Sequence, residues 1–263
     1  MRPLAIILIV IALLLLLNKF VFKKSLLDVA DMFKKSNGIP TDKQIKTLKK
    51  INAMQIDNAK LIASELNKDG ISNKNLVIGI LSNNGKESNF IPQEEKSYRN
   101  TSAARIRSIF PTATKGLSDT QIDTLKKDDV KFFALVYGGK FGNDTDKDGF
   151  KFRGRGFNQL TFRANYTHYG KLIGIDLEAK PELLNDPRIA AMVCAAFFKE
   201  GLHNLANKIE KVYGITDVYN PSTIKEGTQI AVSINSGGKD KRGSETEAQA
   251  LAFNSKLATL NIV

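Results

Sequence analysis

Lys151-Phe152-Arg153-Gly154-Arg155-Gly156-Phe157-Asn158-Gln159-Leu160-Thr161, running on to Arg163-Ala164-Asn165-Tyr166, alternates two arginines with two glycines and follows them with amides and a phenol. Glycine adopts backbone angles that other residues avoid and lets a second segment approach closely. The amides and the tyrosine supply the donors, acceptors and ring face that a saccharide requires. The stretch reads as a small irregular or β element, spanning about Phe150 to Leu160, in a chain whose other signals are helical.

Working outward, apolar Ile45, Leu48, Ile51, Ile56, Ala59, Ile62 and Ala63 recur at helical spacing between Asp42 and Leu66, and Asp69-Gly70 turns the chain. Leu76 to Leu81 is apolar on all sides and predicts a buried helix. Further helices are expected over Ser102–Ile109, Ser118–Lys126 and Asp129–Tyr137. Asp186-Pro187 predicts a helix start, with an aspartate cap and proline in the first turn, and Gly201 offers a stop. A last helix is expected from Ser244 to near Leu260. Strand signals are few, no internal repeat occurs, and the fold class is mainly α.

The N-terminus has a different character. Leu4 to Leu17 is continuously apolar, and Pro3 to Phe22 as a helix would reach roughly 30 Å, enough to cross a bilayer if Lys19 snorkels. No small-x-small cleavage site follows, so a retained signal-anchor over residues 1–24 is expected rather than a removed leader. Residues 25–36 then form a linker, and 37–263 the main domain. Lys19, Lys23 and Lys24 outnumber Arg2, which by the positive-inside rule keeps that domain on the cytoplasmic side.

The net charge of +12 (39 basic minus 27 acidic residues) suits polyanionic surroundings such as anionic lipid or acidic wall polymers. Nucleic acid is not expected as a partner, because the lysines are scattered rather than interleaved with aromatics in a patch. Cys194, the single cysteine, lies in an apolar helical run and reads as a buried structural thiol. His168 and His203 lack metal-ligand spacing. Asp144, Asp146, Asp148 and Gly149 match the first half of a calcium loop, but the twelfth position is Arg155, a cation where a bidentate glutamate is needed. No metal and no cofactor is expected, and the chain is expected to be a monomer.

The Arg-Gly stretch resembles the signature of family 19 glycoside hydrolases, approximately YRGRGxxQLTGRxNY, with Phe152 in the first aromatic place and Phe162 where the signature has glycine. Two further segments resemble the same family. Gly85-Lys86-Glu87-Ser88-Asn89-Phe90 is similar to its HESGGF motif, with Lys86 for histidine and one glycine of the pair absent. Ser233-Ile234-Asn235-Ser236-Gly237-Gly238 is similar to its INGG segment, followed by Arg242.

The resemblance implies a lysozyme-like, two-lobed helical domain with a cleft between the lobes. It implies inverting hydrolysis of β-1,4 bonds in N-acetylglucosamine-containing polymers, peptidoglycan or chitin, by an enzyme that faces the cell wall. That expectation opposes the one drawn from the flanking lysines. Glu87 would be the general acid, a role that needs a carboxyl kept protonated by an apolar setting. For the second carboxylate, Glu95 leads and Asp146 follows. Tyr98, Gln159, Asn165, Tyr166 and Asn235 are the expected substrate contacts, with Arg153 and Arg155 pairing with acids near the cleft. The rival expectation is a catalytically weak, membrane-tethered wall-binding protein, favoured by Lys86 and by the shortened aspartate loop.

Overall fold

The structure, a computed structural model, describes residues 53–237. The expected signal-anchor, the linker, the helix start near Asp42, Arg242 and the Ser244–Leu260 helix lie outside the described residues. Among the described residues no helix is long and apolar enough to cross a membrane.

The described chain is mainly helical: α1 (Ala53–Lys68), α2 (Lys74–Ser88), α3 (Ala103–Ile109), α4 (Asp119–Leu125), α5 (Asp129–Tyr137), the single turn α6 (Asp148–Lys151), α7 (Arg163–Ile173), a 3-10 turn at Pro181–Asn185, α8 (Pro187–Tyr213) and α9 (Ile224–Asn235). Side chains at the helix starts fix most boundaries. Asn73 accepts from Leu76 N, Ser118 and Gln121 form a reciprocal capping box, and Asp186 accepts from Arg188 N and Ile189 N ahead of Pro187.

Helix α2 is central. Leu76, Val77, Ile78, Ile80 and Leu81 are all buried, and full burial of each such side chain stabilises by about 1.5–3 kcal/mol. Three of its polar residues bond locally: Ser82 and Ser88 donate to Ile78 O and Asn84 O, and Asn84 Nδ2 donates to Ile80 O. Helix α9 crosses α2 where Gly79 meets Gly227, and α1 packs on α8. Cys194 is buried in α8 with Sγ 3.6 Å from Asn84 Oδ1, and burial pushes its thiol up to about 12. The structural reading of that cysteine agrees with its surroundings.

Gly201 does not stop α8, which continues to Tyr213 and ends in left-handed Gly214. A Cβ at position 201 would lie 2.3 Å from Ile234 Cγ2, so the glycine serves the contact with α9.

Two hydrophobic clusters flank the Arg-Gly stretch. Phe152, Leu160, Tyr166, Leu177, Leu184 and Val193 form one. Ile106, Ile122, Phe132, Phe133 and Val136 form the other, with Tyr98, Tyr137 and Phe150 against it. Phe150 therefore belongs to one cluster and Phe152 to the other, and the stretch crosses between them. Its only regular pairing is a bridge between Arg155 and Leu160, with N–H···O distances of 3.1 and 2.8 Å, in keeping with the small irregular element expected there.

Candidate active site

Helix α2 ends in a turn at Asn89 and Phe90, both left-handed with φ of 52° and 57°. Two amides of α1 hold this turn: Gln55 Nε2 donates to Asn89 O and Asn58 Nδ2 to Phe90 O, at 2.9 and 2.8 Å. Beyond it the chain runs without helix or strand past Glu94 and Glu95. That segment is pinned to the Arg-Gly turn. Glu95 N donates to Gly154 O at 2.7 Å, Gln159 Nε2 to Gln93 O at 2.9 Å, and Arg153 Nε to Glu95 O at 3.3 Å.

The two glutamates then take different partners. Glu94 receives both arginines, Arg153 Nη2 at 2.8 Å and Arg155 Nε at 3.2 Å. Partial burial pushes its carboxyl up, but the two guanidinium groups outweigh that and hold it below its ordinary value. Arg153 and Arg155 are thus acid partners, as expected, and both are buried.

Glu95 is held by neutral donors. Tyr98 Oη lies 2.9 Å from Oε1, Tyr137 Oη 3.0 and 2.9 Å from the two carboxylate oxygens, and Gly154 N 3.4 Å from Oε2. Burial, then the neighbouring Glu95 charge, pushes both phenols well above their usual range, so they remain donors at any physiological pH. Gly154 makes room for the arrangement. A Cβ there would sit 2.9 Å from Gln159 Oε1 and 3.5 Å from Glu95 Oε2, which puts the amide of Gln159 beside the carboxylate of Glu95. Glu95, Tyr98 and Gln159 are therefore brought together, and Tyr137, which no local motif singled out, completes the group. Its signal was only its place at the end of an apolar helix, where tyrosine reads as core.

The remaining expected residues fall elsewhere. Glu87 lies in the last turn of α2 with its side chain 37% exposed and Oε1 3.1 Å from Lys86 Nζ; the expected apolar setting is not there. Tyr166 is fully buried, donating to Arg153 O at 2.7 Å and accepting from Arg155 Nη1 at 3.1 Å. Its ring and hydroxyl are spent inside the protein, which corrects its assignment as a substrate contact. Asn165 is exposed on α7 and donates to Thr161 O at 2.8 Å. Asn235 is half-buried at the end of α9.

Asp146 is exposed in the loop before α6, and Asp148 is buried. The Asp148 carboxylate turns inward to accept from Asp144 N, Thr145 N and Arg163 Nη2 at 3.0, 2.8 and 2.7 Å, so it is committed to its own loop rather than to calcium. Among the described residues no group of three or more His, Cys, Asp or Glu is placed to hold a metal.

A concavity of about 580 Å3 lies away from this group, between α1, α7 and α8, where Glu65, Leu172, Met192, Lys199 and Tyr219 line it. Its charged groups already pair, Lys199 with Asp69 and Lys68 with Glu65. The convergent carboxylate, hydroxyls and amide at Glu95 are the stronger chemical site. Comparison with family models and with curated proteins returned no match for this chain.

Proposed function

We propose that this protein is a family 19-like glycoside hydrolase, of lysozyme-like two-lobed fold, that cleaves β-1,4 bonds in N-acetylglucosamine-containing wall polymers. The observation that carries the reading is backbone conformation. At 89 and 162, positions that face glycines in the resembled motifs, the chain has φ of 52° and 77° without glycine. Non-glycine residues rarely adopt such angles, so the two coincidences with motif glycines support the same local backbone.

On this reading Glu87 protonates the leaving oxygen and Glu95 orients the attacking water. Tyr98 and Tyr137 fix the direction of the Glu95 carboxylate, and Gln159, whose Nε2 donates to Gln93 O and Gly156 O, offers its amide oxygen to the sugar. Inversion needs room for water between the carboxyls, roughly 6.5–9.5 Å in such enzymes. A hydrophobic N-terminal anchor would keep the domain next to the wall, which favours peptidoglycan over crystalline chitin.

The exposure of Glu87 and its ion pair with Lys86 favour a second reading, a tethered wall-binding protein of weak activity. Full-length protein in detergent micelles, incubated with purified peptidoglycan and with chitin oligomers, separates the two. Release of reducing ends that is lost in Glu87→Gln and in Glu95→Gln supports the hydrolase. Binding without release supports the tether.

A further inference from the structure

Phe141 is the most exposed large hydrophobic residue described, at 69%, in a loop where its φ is 45°. A bulky side chain with positive φ is an outlier that needs its surroundings to hold it, and such outliers collect at functional sites. The hold is visible. Asn143, fully buried, donates to Tyr137 O at 3.0 Å and accepts from Arg163 N at 2.9 Å, while Phe141 O accepts from Ala164 N at 3.0 Å.

What the loop presents is an aromatic series. Phe141 lies 4.9 Å from Phe162, which is itself left-handed at φ 77°, and Phe162 meets Tyr137 edge-on at 5.4 Å. Tyr137 carries the series to the Glu95 carboxylate. Two strained phenylalanines thus run from solvent to the hydroxyl that orients the candidate catalytic carboxylate. A single exposed ring is ordinary; what sets Phe141 apart is that it is exposed, left-handed and packed on a second left-handed ring.

We propose that Phe141, backed by Phe162, is a stacking platform for the apolar C–H face of an N-acetylhexosamine ring, adjoining the Glu95 group. The platform rests on the saccharide reading above and deepens it by adding a subsite. Pyranose rings present such a face, and aromatic side chains with one solvent-facing surface match it. Gln159, Tyr98 and Glu95, at the inner end, supply the polar contacts a sugar also requires.

The sequence has no tryptophan, so Phe141→Trp in the full-length chain introduces a single fluorophore at the platform. Titration with soluble N-acetylglucosamine oligomers should then give a saturable change in emission. In parallel, Phe141→Ala should raise KM for oligomer cleavage about three- to tenfold, the range of one aromatic contact, with kcat retained and KM recovered in Phe141→Tyr. If wild type cleaves and Phe141→Ala has unchanged KM, the platform is refuted and the hydrolase reading survives. If wild type cleaves nothing but Phe141→Trp responds saturably, the platform stands and the hydrolase reading falls. No cleavage and no response overturn both.

Discussion

Tyr137 holds Glu95 from the far side of the loop, its hydroxyl 3.0 and 2.9 Å from the two carboxylate oxygens, while Tyr98 reaches Oε1 at 2.9 Å. The tyrosines come from different parts of the chain and share one aromatic cluster, in which Tyr137 stacks on Phe133 at 5.9 Å and Tyr98 contacts Phe132 at 5.1 Å. Orientation of the carboxylate is therefore coupled to packing. Tyr137→Phe keeps the ring and removes the hydroxyl. If Glu95 positions water, kcat should fall about tenfold, equivalent to about 1.4 kcal/mol in the barrier, with KM and Tm little changed. Tyr98→Phe should do the same, and the double variant should cost less than the product of the two. Full kcat in both single variants would remove Glu95 from the mechanism.

The neighbouring Glu94 poses a different question, since its side chain is 43% exposed while both arginines are buried. Arg155 donates to Glu94 Oε2, to Lys151 O at 2.7 Å and to Tyr166 Oη at 3.1 Å. Arg155→Met leaves Lys151 O without this donor and Tyr166 Oη with only its bond to Arg153 O; an unpaired buried group costs about 1–3 kcal/mol, and about 2–3 kcal/mol of stability should be lost in total. Glu94→Gln should cost no more than about 1 kcal/mol, because water reaches that carboxylate and screens its ion pairs. Urea unfolding of the two variants checks the ranking, and equal losses would contradict it.

Local signals in the sequence read the helices well. Ser118, Asp128 and Asp186 cap where their side chains can reach backbone N–H groups, so α4, α5 and the start of α8 follow from short-range chemistry. Gly201 misled because a glycine at helical spacing marks either a stop or a close contact, and only Ile234, thirty-three positions later, decides which. The site shows the same divide. Glu95, Tyr98 and Gln159 lie in motif-like segments and come together, whereas Tyr137 reaches Glu95 only through tertiary packing. Tyr166 reads as a ligand contact because a phenol directly after an amide carries no sign of whether it faces in or out. The exposure of Glu87 is equally illegible: α2 is buried all round from Leu76 to Gly85 and surfaces only at its two ends.

The helix crossings give a test of the packing that supports this site. A Cβ on Gly79 would meet backbone, 2.2 Å from Gly227 C and 2.6 Å from Thr228 N. On Gly201 it would meet a side chain, Ile234 Cγ2 at 2.3 Å. Backbone cannot yield without moving α9 off α2, whereas Ile234 can change rotamer. Gly201→Ala should therefore cost about 1–3 kcal/mol, and Gly79→Ala more than that, with loss of soluble folded protein as its extreme. Thermal unfolding followed by circular dichroism ranks them, and a Gly79→Ala protein as stable as wild type would show that α9 does not press on α2 at Gly79.

Asp148 gives the pH dependence a definite sign. Burial pushes its carboxyl up, but the bonds from Thr145 and from Arg163 prevail and hold it below the ordinary value of 3.8. A carboxyl depressed in the folded state adds stability that is fully present above its unfolded value and disappears as pH falls through the folded one. Asp148→Asn removes that contribution while keeping the side chain's shape, so at pH 7 the variant should be less stable by about 2 kcal/mol, the scale of a hydrogen-bonded buried charge. Because wild type alone loses the term in acid, the gap should narrow once the pH drops below about 4. Glu94, also depressed, titrates in both proteins and cancels from the comparison. Urea midpoints for the pair at steps from pH 7 to pH 3 measure the gap directly. A gap that stays constant across that range would mean that Asp148 supports its loop by shape and not by charge.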